Sequence, residues 1–147
     1  MSRISKLLGA LALVVAMPAA AAPAGNDLRV ELTGIRSAKG VVHLCLSGDP
    51  SRYLDCKGDK GALWRTVPAG QAGRFDLGAV KPGTYALLVV HDENNNGKLD
   101  MTLGIPREGF GFSNNPALRP RAPKWDEIRF TVPATASVQR IRVRYVL

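Results

Sequence analysis

The sequence predicts an all-β domain, a single β-sandwich of about seven strands. Three observations carry that expectation. Short stretches alternate apolar and polar residues, as where Leu28, Val30 and Leu32 interleave with Arg29, Glu31 and Thr33. Glycine and proline, 15 and 10 of 147 residues, punctuate such stretches at turn-like intervals. Beyond the first 22 residues no helical period and no internal repeat is visible.

Residues 1–22 read as an export signal. Arg3 and Lys6 supply a basic start, Leu7 to Val15 an apolar core, and the alanine-rich run to Ala22 an A-x-A cleavage pattern. The apolar core is too short to cross a bilayer. The expected organisation is a signal peptide over 1–22 and one domain over 23–147. The mature chain is expected in the periplasm or secreted, and not transmembrane. About 125 residues suffice for one hydrophobic core. The formal charge of +8 falls to +6 without Arg3 and Lys6, so the domain is still basic.

The strands follow in order. Leu28–Thr33 is the first, and Val41–Ser47 the second after a turn at Ser37–Gly40. Ala62–Val67, with Trp64, is a third, and Arg74–Leu77 a short fourth. Lys81-Pro82-Gly83 fits a type II turn, with proline at its second place and glycine at its third. Thr84–His91 is apolar on both faces, as a central strand should be. Gly104–Trp125 holds four prolines and shows no period; such a long irregular run is often functional. Ile128, Phe130 and Val132 are expected inward on the next strand, and Ile141, Val143 and Tyr145 on the last. Cys45 and Cys56, in an exported chain, suggest one disulfide. Closing a loop of that length should contribute roughly 3 kcal/mol.

The chemistry is concentrated in one run, HDENNNGKLDMTLGIPREGFGFSNN, His91 to Asn115. Asp92, Asn94, Asn96, Gly97 and Asp100 match places one, three, five, six and nine of a calcium loop. Alternate side-chain oxygens converge when such a chain curls, and glycine at the sixth place permits a positive φ. Lys98 would add its carbonyl, and Leu99 would anchor the loop in the core. Leu103 stands where a bidentate carboxylate is expected, so Glu108 folding back is the candidate replacement. With two charged ligands a calcium site should be weak, on the order of 10⁻⁴ to 10⁻³ M. The same residues equally suit a metal-free turn in which Asx side chains bond their own backbone. The Gly109–Asn115 segment is expected to pack over this loop.

Other chemistries are less well furnished. Ser113 lies in G-F-S-N-N rather than a nucleophile elbow. His91 beside Asp92 offers a base and an orienting carboxylate, the one enzymatic alternative, although a histidine ending a central strand is usually structural. Arg140, Arg142 and Arg144 alternate on the last strand and are expected to share one face. Such a face would attract anionic envelope components: lipid headgroups, lipopolysaccharide phosphates or acidic glycans. It also suits a plain solvated face that discourages edge pairing. Export and the lack of basic–aromatic interleaving argue against nucleic acid. The strands are too few and short for an outer-membrane barrel.

Taken whole, HDENNNGKLD…GIPREGFGFSNN resembles the hallmark of a bacterial exported family known as domain of unknown function 2141. The resemblance runs from about Leu28 to Leu147, with a shorter step from Asp100 to Gly104 than the family pattern. It implies a transthyretin-like or immunoglobulin-like sandwich and brings no activity, substrate or catalytic residue. The expectation is therefore an exported, non-enzymatic module with calcium as its candidate cofactor. Its partner would be an envelope protein or an anionic envelope component.

Overall fold

The longest doubly apolar run, Thr84–Val90, becomes the axis of the domain. The computed structural model describes residues 26–147, so the expected export signal lies outside the described residues. In chain order the elements are β1 (Asp27–Thr33), β2 (Val41–Ser47), β3 (Leu63–Pro68), β4 (Arg74–Ala79), β5 (Gly83–Asp92), β6 (Met101–Thr102) and β7 (Ile105–Pro106). They continue with β8 (Gly109–Phe112), the single helical turn α1 (Trp125–Ile128), β9 (Phe130–Val132) and β10 (Ser137–Arg142).

One sheet has the order β10-β1-β4, with β1 parallel to β10 and antiparallel to β4. The larger sheet runs β3-β2-β5, and the far edge of β5 is shared by two short strands. β8 pairs with Leu88–His91, and β9 with Gly83–Tyr85. One core fills the space between the sheets. Leu28, Val30 and Leu32 of β1 meet Val42, Leu44 and Leu46 of β2, with Leu87 and Val89 of β5 and Ile141 of β10. Burying each of these stabilises the fold by roughly 1.5–3 kcal/mol. A single bridge between Phe110 and Arg144 stitches the sheets together at one edge. The fold is all-β, as the alternation predicted.

Several expectations need correcting. Lys81-Pro82-Gly83 is not a type II turn: Gly83 lacks a positive φ and opens β5 opposite Val132. The run after Gly104 is not wholly irregular, since Ile105–Pro106 and Gly109–Phe112 are strands. Ile128 is buried, but at the end of α1 rather than on a strand. The last ladder stops at Arg142, short of Val143 and Tyr145. β5 is central but not covered on both sides. Leu87 and Val89 are buried, whereas Leu88 and Val90, on its other face, are half-buried. Cys45, also outward on β2 opposite Leu88, is bonded to Cys56 with a Cα–Cα distance of 6.0 Å.

Candidate functional site

Strand β5 ends where its side chains stop being apolar, and the polar loop begins there. Asp92 is fully buried, and its carboxylate serves the loop that follows. Oδ1 accepts the Asn96 N–H at 3.1 Å and Oδ2 the Gly97 N–H at 2.7 Å. Burial pushes this carboxyl up, but the Gly97 and Asn96 amides and His43 outweigh it and hold it below the usual range. Asn94 Oδ1 accepts the Asn96 N–H at 3.1 Å, and Asn96 Oδ1 the Lys98 N–H at 2.9 Å. Both amide groups then donate to Asp100, Asn94 at 2.8 Å and Asn96 at 2.9 Å. Those donations, Asn96's first, keep the Asp100 carboxyl low. Asn95 and Gly97 take the positive φ values, 56° and 74°, that close the curl.

Glu108 does fold back. It is buried, with Oε1 accepting the Glu93 N–H at 3.2 Å and Oε2 the Asp100 N–H at 3.1 Å. Asn94, Asn96 and Asp100 thus converge on one another, while Asp92 and Glu108 brace the loop from beneath. Among the described residues no three His, Cys, Asp or Glu side chains form a group that could hold a metal ion. A cation here would draw on the Asn94 and Asn96 oxygens and the Lys98 carbonyl besides the two aspartates. Leu99 does not anchor the loop in the core; it is half-buried and lines an outer groove. Gly109–Phe112 does not pack over the loop either, because it pairs with β5.

His91 and Asp92 project to opposite faces and do not meet. His91 points into the sandwich, donating from Nε2 to the Lys39 carbonyl at 2.8 Å and accepting at Nδ1 from the Tyr145 hydroxyl at 2.6 Å. Tyr145 in turn accepts the Arg36 N–H at 3.1 Å. The partner of Asp92 is instead His43, whose Nε2 lies 3.2 Å from Oδ2 while Nδ1 contacts Thr66 Oγ1 at 2.8 Å. Sequence reasoning missed this pairing because β2 and β5 meet only through the register that sets His43 against Val90.

The G-F-G-F-S-N-N run is a seam. Gly109 and Gly111 face the core side, where a Cβ would sit 2.4 Å from the Tyr145 ring and 2.7 Å from Ile141. Phe110 and Phe112 face outward beside Val90 and Leu88. Buried Ser113 donates its hydroxyl to the Ile128 carbonyl and accepts the Leu87 N–H at 3.0 Å. Asn114 and Asn115 take φ values of 62° and 48°, which asparagine tolerates. Asn115 then grips β10 with both ends of its amide, donating to Arg140 O at 2.9 Å and accepting from Arg142 N at 2.7 Å.

The three arginines do not form one uniform face. Arg140 is paired with Glu31 at 2.9 Å, alongside Arg74. Arg142 and Arg144 instead border a groove of about 910 Å³ on the outer face of the larger sheet. Its floor is Leu88, Val90, Phe110 and Phe112. The β6–β7 hairpin walls one side and the proline-rich 116–123 segment the other. Only the two-residue alternation of G-F-G-F hinted at this floor, and the surrounding glycines and prolines masked it.

A bacterial family described as "Uncharacterized protein conserved in bacteria" (DUF2141) matches residues 30–140. No curated protein and no solved structure matches the chain. Among the described residues no helix is long and apolar enough to cross a membrane.

Proposed function

The chain belongs to the uncharacterized bacterial family DUF2141, and from that premise we propose that it is an exported, non-enzymatic module that binds anionic envelope components. One observation carries the reading. Four arginines, Arg119, Arg121, Arg142 and Arg144, border the groove against a single carboxylate, Glu127. Arg121 and, more distantly, Arg119 share that carboxylate, at 2.8 and 3.9 Å. Arg142 and Arg144 are in no ion pair among the described residues; Arg144 gives two of its five N–H donors to the Pro116 and Asn115 carbonyls and keeps the rest. A local excess of about three positive charges beside a groove favours anions. Co-sedimentation with anionic and zwitterionic vesicles tests it. Binding should require the anionic lipid, fall as salt rises, and weaken by about 1 kcal/mol for each of Arg142→Ala and Arg144→Ala. Equal binding to both vesicle types would refute it.

A second reading is calcium at 92–100, where Asn94 and Asn96 gather on Asp100 above the folded-back Glu108; both amides point their NH₂ groups at that carboxylate and would have to turn their oxygens to a cation. A site of about 10⁻³ M, tenfold saturated, adds roughly 1.4 kcal/mol to stability. That is a rise of about 5 °C in Tm for a domain of this size. An unchanged Tm would leave the loop as a metal-free turn.

A further inference from the structure

The groove is unlike the rest of the surface. Leu54, Met101, Leu103, Ile105, Leu118 and Val146 all line it and are all well exposed. Its volume lies in the range of sites that enclose a small molecule, roughly 300–1,000 Å³. At the tip of the β6–β7 hairpin, Leu103 is 96% exposed and holds φ at 51°, followed by Gly104 at 78°. A leucine placed in the left-handed region, at a point where it buries nothing within the domain, is costly on both counts. Asparagine would relieve both. The arginines with no carboxylate partner stand at the same groove, so its apolar floor and its positive rim are one feature.

We infer that this groove takes up one acyl chain of an anionic phospholipid, with the phosphate held by Arg142 and Arg144 and the Leu103 hairpin at the chain's entrance. The inference rests on the anion-binding reading and specifies the ligand of that site. Charge complementarity chooses this occupant. A neutral apolar peptide would leave Arg142 and Arg144 without a counter-charge, and an acidic glycan would not fill the apolar floor of Leu88, Val90, Phe110 and Phe112. The Asp92 loop and Glu108 fix the hairpin's base, since Asp100 N–H is held by Glu108 one residue before β6 begins.

Monomeric probes separate the two layers of the argument. Dodecyl phosphate, octyl phosphate, inorganic phosphate and dodecyl maltoside are titrated calorimetrically into the purified protein below their micelle concentrations. Each buried methylene tightens binding about fourfold. Dodecyl phosphate should therefore bind one to one and on the order of a hundredfold tighter than octyl phosphate. Leu118→Glu and Ile105→Glu, at exposed positions that leave the core intact, should abolish binding with the Tm preserved. Arg142→Ala should weaken dodecyl phosphate at least tenfold. Inorganic phosphate binding as tightly as dodecyl phosphate would overturn the acyl-chain inference while leaving anion binding in place. Dodecyl maltoside binding as tightly would overturn the anion reading itself. No binding of dodecyl phosphate, with sedimentation showing a dimer, would give the groove to a second copy of the chain and overturn the inference.

Discussion

Replacing Asp92 with alanine should cost more stability than its place at the mouth of a loop suggests. The carboxylate has no solvent exposure and accepts hydrogen bonds from Asn96 N–H, Gly97 N–H and His43. Bonds to a charged acceptor are worth about 1.5–3 kcal/mol each, and a buried donor left unpaired costs about 1–3 kcal/mol. Water can reach part of the exposed loop, so the sum is discounted to about 3 kcal/mol. With about 2.1 cal/mol/K per residue of unfolding entropy, that lowers Tm by roughly 12 °C for the described domain. Asp92→Asn keeps one acceptor but turns an NH₂ towards the remaining donors, so about 2 kcal/mol should be lost.

The assay is thermal and urea unfolding of the wild type and both variants, with chelator and with several millimolar calcium. The losses should already be present in full with chelator, because the Asn96 and Gly97 amides are partners of Asp92 without any metal; calcium bound at 92–100 would only enlarge them. They should also shrink in acid. The folded-state carboxyl lies below the 3.8 of an ordinary aspartate, so its contribution is full above that value and disappears as pH falls through the lowered pKa. A loss under about 1 kcal/mol in chelator would refute the reasoning. So would a loss that appears only when calcium is present.

Two further perturbations probe the frame. Gly111→Ala builds a Cβ 2.7 Å from Ile141 Cγ2 and 3.0 Å from the Arg142 carbonyl, so it should push β8 off β10 and cost about 2 kcal/mol, read as a lower urea midpoint; an unchanged midpoint would mean the sheets are not in contact there. Glu93, bonded to Arg36 at 2.5 and 3.0 Å and to Ser37, has its carboxyl lowered to about 2, the Arg36 bond being the largest cause. Its contribution is present above about 4.5 and lost as pH falls through about 2. Glu93→Gln should therefore flatten the stability–pH curve across that window, by on the order of 1–2 kcal/mol after discounting for partial exposure, and a curve parallel to wild type would disprove the pairing.

The strands that bury one face were legible because period two survives in the sequence. Leu28, Val30 and Leu32 are all buried, and Asp27–Thr33 is the strand they announced. Legibility failed where a strand's inward residue is glycine. In β8 the side chains that alternate are Gly109 and Gly111 against Phe110 and Phe112, so the apolar ones face out and the pattern inverts. It failed again at Arg140, Arg142 and Arg144. Alternation placed them on one face, but Arg144 lies past the end of β10 and turns to the Asn115 and Pro116 carbonyls. The oxygen-rich loop was legible as a curl, since Asp92, Asn94 and Asn96 each cap a backbone amide within it. Glu108 was legible as folding back on the loop but not as holding its backbone, because fifteen residues separate Glu93 from the carboxylate that accepts its N–H.

These particulars recast what the long run from His91 to Asn115 is for. Its polar residues are spent on the backbone: Asp92 and Glu108 hold amides of the 93–100 loop, Ser113 takes the Leu87 N–H between the β8 and β9 pairings of β5, and Asn115 takes the Arg142 N–H. A side chain so engaged is a poor nucleophile or base, because freeing it breaks the seam. The residues left without structural work are the apolar ones, Leu88, Val90, Phe110, Phe112 and the Leu103 hairpin, all on one outer face. On the proposed reading, this braced frame serves to hold a ligand in the apolar groove. Loosening the brace at Glu108 should accordingly weaken dodecyl phosphate binding before it unfolds the sandwich. Binding unaffected in Glu108→Gln would separate the groove from the loop.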